Sequence, residues 1–398
     1  MIYFGLLMKS NKQLLIQITS KLLLGILLFI TFICCNRNRA IFQGETISID
    51  IGDLSTVGYP DLFSKIEIIP LETNDESLLK YITKLYVDEK NGDFIIFDRG
   101  QGIMFCFNEK GQFKYSSKKM IGNGPGEYYQ PYDFVYNPFH STHEFLNPMG
   151  IISIYGDNMD FIRSLKIESN NKVKAIHYFF PINDDTYVLY NVSDLINQIY
   201  FYSLKNNLII KNQPMGTRVL FTSNPMPFYL FQDSCYFSPA SVSNIEYQIN
   251  PNNLTLFPVM QIDYGNKTLT SDIAKDYQDY GETRKLLESG AYAFSSGKFQ
   301  NDEFYFIYTI YNNQGYFAIY DKQTKTVRTY RSFSNKKIFP QIKYLTNDVL
   351  YCISNVYDIQ YSVDERLLSQ KDKELLSKLK EDDNPIIIKA YFKNELTE

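Results

Sequence analysis

The stretch that decides the fold is Met120-Ile121-Gly122-Asn123-Gly124-Pro125-Gly126-Glu127-Tyr128-Tyr129-Gln130-Pro131. Its glycines supply backbone angles that are closed to other residues, and its prolines fix φ and remove N–H donors. Strand-like segments lie on both sides of it, and Tyr132–Tyr136 follows directly. We therefore interpret the stretch as a rigid crossing between two pieces of β-sheet.

Two hairpins precede this crossing. Leu85–Val87 and Phe94–Asp98 flank one turn, and Ile103–Phe107 and Gln112–Tyr115 flank the next. Both turns contain Asn and Gly, which are typical of tight hairpin connections. The four segments are thus predicted to form one up-and-down sheet that ends at the crossing.

The same alternation of short apolar strands and turns continues along the chain. Further predicted strands begin at Asp133, Ile151, Phe161, Ala175, Thr186, Gln198, Leu208, Pro227, Ser234, Ile245, Pro258, Ala291, Phe304, Gly315, Thr326, Pro340 and Val349. Six units would average about 50 residues and seven about 43, both typical of propeller blades. The pattern predicts an all-β fold, a single six-bladed β-propeller over residues 61–398, with seven blades as the alternative.

Two charged segments interrupt the strand pattern, residues 268–290 and 364–380. Their apolar residues recur at helical spacing, so both are predicted to be short helical insertions. The strand Ile386–Phe392 follows the second insertion. Together with Ile66–Leu71 it is expected to complete the last sheet, which would close the ring and remove exposed edges.

The first 35 residues have the pattern of a secretory signal peptide. Lys9, Lys12 and Lys21 precede an apolar run, Leu22–Ile33. This run is far shorter than the ~20 residues that a membrane-spanning helix needs. Translation could begin at Met1 or at Met8.

Cys34-Cys35 ends the apolar run and resembles a bacterial lipoprotein signal, with Cys35 as the lipidated residue. Ordinary secretion or an uncleaved anchor are the alternatives. Residues 36–60 are then a tether and lead-in segment. This interpretation predicts a lipoprotein anchored in the envelope of a Gram-negative bacterium, on the periplasmic or the surface face.

Composition excludes some classes of function. Without the three signal lysines the net charge is about −7, and there is no basic block, which argues against a nucleic-acid partner. The chain has 33 Tyr, 30 Phe and no Trp, a bias that favours strands. Cys106, Cys235 and Cys352 lie in apolar runs without CxxC spacing, so we expect buried small side chains.

A family resemblance rests on three segments: Asn91–Asp98, Phe107–Phe113 and Gly122–Tyr128. These resemble an NHL-type repeat and, more closely, the six-bladed β-propeller lipoproteins of Bacteroidales, which carry a GxGPGEY stretch after the first blade. The ending Asp383–Ile388 is similar to the close of those chains. The resemblance implies a propeller fold and an envelope location. It implies no reaction, and no catalytic residue is carried over.

Two further patterns resemble ligand sites. The glycine stretch lacks the following helix and the lysine of a phosphate loop, so Gly122, Gly124, Pro125, Gly126, Glu127 and Tyr128 are predicted to form a structural inter-blade turn. Residues 140–144 contain two histidines, His140 and His143, but a loose hairpin tip is expected there rather than a metal site. The third histidine is His177.

Acidic residues recur near strand ends, for example Asp98, Asp157 and Asp321. Carboxylates at such positions bind Ca²⁺ in some propeller enzymes, but turn-forming aspartates are commoner. No cofactor and no metal are therefore predicted. No Ser-His-Asp order or G-x-S-x-G elbow is visible.

These features predict a binding or scaffolding module for a protein or glycan partner, with the membrane contacted only through the lipid anchor. The competing hypothesis is a metal-dependent hydrolase or lyase with its site in the central channel. A nutrient-uptake accessory is a third.

Overall fold

A computed structural model describes residues 42, 44–52, 58–167, 176–192, 198–215, 226–239, 243–274, 280–331 and 342–393. The predicted signal peptide, Cys35 and most of the predicted tether lie outside these residues. All structural statements below concern the described part of the chain.

The strands form six separate small sheets. Five of them have four strands and one has five. In four sheets the strands follow one another along the chain, and each of the other two sheets gains one strand from the start of the chain. The protein is a six-bladed β-propeller, so the predicted fold class and blade count are confirmed. We number the blades 1 to 6 along the chain from residue 82 onward, leaving aside the two earlier strands that join blades 4 and 6.

The strands of blades 1 to 3 follow one another in sequence. Blade 1 contains β3 (Ile82–Val87), β4 (Phe94–Asp98), β5 (Ile103–Phe107) and β6 (Phe113–Ser116). Blade 2 contains β7 (Asp133–Asn137), β8 (Thr142–Leu146), β9 (Ile151–Tyr155) and β10 (Phe161–Lys166). Blade 3 contains β11 (Tyr178–Pro181), β12 (Thr186–Asn191), β13 (Gln198–Ser203) and β14 (Leu208–Pro214).

Blades 4 and 6 each take one strand from the start of the chain. Blade 4 contains β15 (Phe228–Phe231), β16 (Ser234–Phe237), β17 (Ile245–Asn250), β18 (Thr255–Asp263) and β1 (Glu45–Ser48). Blade 5 contains β19 (Phe294–Gln300), β20 (Phe304–Tyr311), β21 (Gln314–Asp321) and β22 (Val327–Tyr330). Blade 6 contains β23 (Ile342–Leu345), β24 (Val349–Ser354), β25 (Ile386–Phe392) and β2 (Phe63–Pro70).

The ring closes within blade 6, as the sequence predicts. Strand β2 pairs antiparallel with β25, and Ile66 lies opposite Ala390. The inner strands of five blades are β3, β7, β11, β19 and β23, because β7 contacts β11, β3 contacts β23 and β19 contacts β23 across blade boundaries. These inner strands surround the central channel.

Strand β1 was not expected, because residues 36–60 were interpreted as a tether and lead-in segment. It adds to the outer edge of blade 4 and pairs parallel with β18, with Glu45 opposite Met260 and Ser48 opposite Asp263. A four-residue strand whose partner lies more than 200 positions away gives no periodic signal of its own. The outer edge of blade 4 is therefore built from two segments that lie far apart in the sequence.

Apolar side chains from facing sheets fill the spaces between blades. Phe94 and Ile96 of blade 1 pack with Ile387 of blade 6, so a hydrophobic core also spans the point of ring closure. The three cysteines of the propeller, Cys106, Cys235 and Cys352, are buried thiols, as predicted. Burial raises the pKa of the Cys106 thiol to about 11.

Short helices lie between strands. They are α1 (Tyr59–Leu62), α2 (Ser271–Ala274), α3 (Tyr280–Glu288), α4 (Ile359–Ser362) and α5 (Gln370–Leu376). Helices α2 and α3 fall within the first predicted insertion, and α5 falls within the second. Helix α5 begins with a reciprocal cap, in which the Ser369 hydroxyl accepts from the Asp372 amide and the Asp372 carboxylate accepts from the Ser369 amide.

Candidate functional site

A buried ion pair joins the inner strands of the first three blades. Lys84 follows a β-bulge in β3, and its Nζ lies 2.6 Å from Asp133 Oδ1 on β7. Lys84 also donates to the Phe134 carbonyl at 2.9 Å, and the Phe179 amide on β11 donates to Asp133 Oδ2 at 3.1 Å. Burial lowers the pKa of Lys84 and raises the pKa of Asp133, while their mutual attraction opposes both changes.

A second buried lysine, Lys343, lies on β23 at a register shift between Ile342 and Tyr344. Its Nζ donates to the Ile82 carbonyl of blade 1 over 3.4 Å, which is a long hydrogen bond. Among the described residues it takes part in no ion pair. Burial lowers the pKa of Lys343 to about 8.

Blades 4 and 5 are joined by a chain of buried polar groups. The Tyr229 hydroxyl donates to Glu246 Oε1 at 2.9 Å, Gln300 donates to Tyr229 Oη at 2.9 Å, and Lys322 donates to Gln300 Oε1 at 3.0 Å. Burial raises the pKa of Glu246 to about 7 and lowers the pKa of Lys298 to about 8. In the described part of the chain, Glu246 Oε2 has no hydrogen-bond partner.

The mouth of the channel carries an exposed arginine beside aromatic rings. Tyr132 and His177 stand just before the inner strands β7 and β11, and their rings stack with centroids 5.6 Å apart at 15°. The Arg99 guanidinium, from the β4–β5 turn, lies 6.0 Å from the Tyr132 ring centroid. Burial raises the pKa of Tyr178, and the nearby Arg99 charge opposes that rise. We call Arg99, Tyr132, His177 and Tyr178 the channel-mouth cluster.

The channel-mouth cluster has the chemistry of an anion site. Arg99 is exposed and forms no ion pair with a described residue. Its charge acts on Lys84 and contributes to lowering the pKa of that amine, while Asp133 is paired with Lys84. A planar guanidinium binds a carboxylate through two parallel hydrogen bonds, and the stacked rings offer a flat apolar surface.

A cleft of about 560 Å³ separates the outer strands of blades 4 and 5. Its walls are formed by Glu45, Thr46, Ile47, Ser48, Asp50, Tyr320, Lys325, Val327 and Thr329. Lys325 Nζ lies 2.7 Å from Glu45 Oε1, and the Tyr320 hydroxyl donates to the same oxygen. Burial acts to raise the pKa of Glu45, but the hydrogen bonds from Lys325 and Tyr320 lower it overall.

The glycine stretch connects β6 of blade 1 to β7 of blade 2. Glu127 folds back over it, and its Oε2 accepts from the Gly124 amide at 2.7 Å. A Cβ on Gly122 would lie 1.9 Å from that oxygen and would displace the Glu127 carboxylate from this position. Gly126 has φ +78°, a backbone conformation that favours glycine. Pro125 lies between them. The Gly124 amide, which a phosphate loop would direct at its ligand, is thus used inside the turn.

Tyr128 fastens this turn to the two blades. Its hydroxyl donates to the Gly102 carbonyl at 2.9 Å and lies 2.6 Å from the Ser117 hydroxyl. Its ring stacks on Phe145 of blade 2 with centroids 4.1 Å apart. The residues predicted to form the turn therefore contact one another and the neighbouring blades.

The three histidines lie apart, and one expectation about them was wrong. His143 is buried in strand β8 rather than at a loose hairpin tip, because the turn is completed at Ser141, which has φ +50°. Burial lowers the pKa of His143 to about 4. His140 Nε2 lies 2.9 Å from the Asp184 carbonyl oxygen, and His177 belongs to the channel-mouth cluster. Within the described ranges, no three His, Cys, Asp or Glu side chains are grouped as metal ligands.

Two of the strand-end aspartates form turns. Asp98 Oδ1 accepts from the Gln101 amide at 3.1 Å, and Asp321 Oδ1 accepts from the Gln323 and Thr324 amides at 2.8 Å. Asp157 is exposed. Asp98 and Asp321, two of the candidate calcium ligands, therefore use carboxylate oxygens to accept hydrogen bonds from backbone amides of their turns.

Sequence reasoning missed the charged residues of the channel. Lys84, Asp133 and Lys343 stand within or beside apolar strand segments, where a charge is unusual. A charged residue in an apolar strand could have indicated a buried polar site. The sequence does not identify the partner of each charge, because that partner lies on a different blade. Arg99 belongs to an ordinary-looking hairpin turn and carried no signal.

Comparison with known proteins supports the fold. No curated protein matches the sequence significantly. The described helices include none that is both long and apolar enough to cross a membrane.

Two solved structures are similar to this chain, and only the first superposes well enough to show a shared fold. A "Putative exported protein" from Bacteroides fragilis NCTC 9343 superposes with a TM-score of 0.69 at 15% identity, covering 88% of this chain and 99% of that one. A member of the duf4221 family from Bacteroides vulgatus gives a TM-score of 0.49 at 8% identity, with 83% and 97% covered.

The superposition on the Bacteroides fragilis protein shows a shared fold, and at 15% identity it does not assign a function. Family assignment comes from the sequence instead. The model of the domain of unknown function DUF4934 matches residues 45–391, from the first residue of β1 into β25, and the chain therefore belongs to the DUF4934 family.

Proposed function

We propose that this protein is a cell-envelope propeller lipoprotein that binds a carboxylate-bearing partner at its channel mouth. The observation that carries the proposal is the exposed Arg99 guanidinium beside the stacked rings of Tyr132 and His177. A carboxylate attached to a sugar ring, or to a peptide segment with a flat surface, would meet both features. The shared chemistry is the carboxylate, and the partner is a glycan or a protein.

The rigidity of the surroundings supports this proposal. The Lys84–Asp133 pair and the Phe179 amide fix the inner strands of blades 1, 2 and 3 below the cluster. Arg99 lies in a hairpin turn in which the Gln101 amide donates to the Asp98 carboxylate. A site assembled on such a frame needs little reorganisation when a ligand binds, which favours affinity.

Binding can be tested with chemically matched probes. Isothermal titration calorimetry would use a galacturonic acid oligosaccharide, its neutral methyl ester and a glutamate-rich peptide. Arg99→Gln should weaken binding of the acidic probe at least tenfold, because the guanidinium supplies paired hydrogen bonds. Arg331→Gln, which changes another exposed arginine, on blade 5, is the matched control.

The probes separate the two sources of carboxylate. Tighter binding of the oligosaccharide assigns a glycan partner, and tighter binding of the peptide assigns a protein. The proposal fails if the methyl ester binds as well as the acid, if Arg99→Gln binds like the wild type, or if no acidic probe binds.

The envelope location rests on the signal-like first 35 residues and the lipoprotein-type Cys35. The NHL-like segments and the Bacteroides fragilis relative, which is described as exported, support it. Cys35→Ala should release the protein from the membrane fraction of cells, because the lipid would have no attachment point. Continued retention of the variant would contradict the anchor.

The competing enzyme hypothesis requires a metal in the channel. Within the described residues no set of three candidate ligands supports it, and no other observation favours a hydrolase or lyase.

A further inference from the structure

We propose that the cleft between blades 4 and 5 accepts an extended segment of a partner polypeptide, which adds as a strand to the edge of β1 that no strand of the described residues occupies. The site is separate from the channel-mouth cluster and does not depend on it. The proposal rests on the direction of the β1 backbone, on the composition of its edge and on the shape of the opposite wall.

The backbone of β1 directs hydrogen-bonding groups into the cleft. The Ile49 amide donates to the Asp263 carbonyl of β18 at 2.8 Å. Because successive residues of a strand point their N–H and C=O groups to opposite sides, Ile47 also faces β18, whereas Thr46 and Ser48 face away from it. The outward groups of these two residues are the ones that an additional strand would pair with.

The lining of the cleft confirms this direction. Four consecutive residues, from Glu45 to Ser48, form one wall. Side chains of a strand alternate between its two faces, so a cavity that touches all four residues must run along the strand edge. Blade 5 contributes Val327 and Thr329, which are two residues apart and therefore share one face of β22. The cleft lies between a strand edge and a strand face.

The edge of β1 lacks the features that usually prevent strand addition. Proteins protect outer strands with lysine or other charges, proline and bulges. Each of the other five outer strands carries a basic residue: Lys65, Lys114, Arg163, Lys211 and Arg328. Strand β1 has no basic residue, no proline and no register shift against β18. Its one charge, on Glu45, is engaged by Lys325 and Tyr320.

The dimensions suit a short extended peptide. Four residues of a strand span about 13 Å at the usual rise, and the cleft beside them has a volume of about 560 Å³. Its walls are mostly hydroxyl-bearing or charged, with Ile47 and Val327 as the apolar residues. Most of the affinity would therefore come from main-chain hydrogen bonds, with short or polar side chains favoured in the partner.

A displayed library of random heptapeptides, selected on the purified chain, provides the probe. The enriched peptide would be synthesised with a fluorophore, and its Kd measured by fluorescence anisotropy. Ser48→Lys gives β1 the protection that the other outer strands have, and should weaken binding at least tenfold. Ser164→Lys makes the same change on the exposed outer strand of blade 2 and should leave the Kd unchanged.

A backbone variant supplies an independent measurement. Thr46→Pro removes one outward N–H, and an N-methylated form of the peptide removes donors from the other side. Both should weaken binding at least tenfold, with circular dichroism checking that Thr46→Pro keeps its fold; if it does not, the N-methylated peptide alone decides. The proposal is overturned if no peptide is enriched, if Ser48→Lys or the N-methylated peptide binds as tightly as the parent, or if the wild type forms dimers that Ser48→Lys dissociates, which would assign the edge to a second copy.

Discussion

Replacing Lys343 by Met should stabilise the protein at neutral pH. The Lys343 side chain is 8% exposed, and burial lowers its pKa from an ordinary 10.5 to about 8. That difference corresponds to roughly 3 kcal/mol by which the native state disfavours the charged amine. The lost hydrogen bond to the Ile82 carbonyl is long, 3.4 Å, and costs about 1 kcal/mol. Lys343→Met, of similar volume, should therefore raise the free energy of unfolding by about 2 kcal/mol at pH 7.

The gain should depend on pH in a defined direction. The pKa of Lys343 is lower in the native state than in the unfolded chain, so between about pH 8 and 10.5 the unfolded chain binds more protons. The stability of the wild type therefore rises with pH across that window, and the advantage of the variant shrinks. Urea unfolding followed by circular dichroism from pH 7 to 10 measures both effects, with exposed Lys90→Met as a control that should show no such trend. A variant that is less stable at pH 7, or an advantage that is constant up to pH 10, would refute the reasoning.

Three further predictions concern the blade contacts. Lys84→Met leaves Asp133 buried without its partner and should lower the free energy of unfolding by roughly 3–5 kcal/mol, whereas Lys84→Met combined with Asp133→Leu should recover part of the loss in the same urea assay. Burial raises the pKa of Glu246 from an ordinary 4.5 to about 7, so its contribution to stability is fully present below pH 4.5 and is lost as pH rises through 7. Glu246→Gln should therefore flatten the dependence of Tm on pH between 4 and 8. An unchanged slope would contradict the raised pKa of Glu246. Gly111→Ala would place a Cβ 2.1 Å from the Pro70 carbonyl oxygen at φ +80° and should cost roughly 2 kcal/mol or more, while exposed Lys110→Ala, one residue earlier, should change stability little.

Local patterns were enough to predict the blades. Each sheet is built mainly from neighbours in sequence joined by short turns, as in Phe94–Asp98 and Ile103–Phe107, so alternation and turn residues specify it. The closure of blade 6 was also predictable, because Ile66–Leu71 and Ile386–Phe392 were strands left without neighbours of their own. The glycine crossing could be placed for the same reason: its glycines and prolines act locally.

What escaped prediction depends on contacts between distant residues. Strand β1 has meaning only beside β18, and the sequence of Glu45–Ser48 does not reveal that partner. The burial of Lys84 and Asp133 follows from the approach of blades 1, 2 and 3, which no periodicity encodes. The cleft between blades 4 and 5 exists because β1 is present, so it was out of reach as well.

The pairing of β2 with β25 also sets the order of events during folding. Ile66 of β2 pairs with Ala390 of β25, and this contact closes a very long loop of the chain. A ribosome or a secretion channel releases β2 long before β25. Strand β2 therefore keeps an unpaired edge until β25 has emerged. A chain cut before Ile386 would keep the strands of blades 1 to 5 but lose β25, so β2 would have no partner strand. We expect quality-control proteases to degrade such fragments readily.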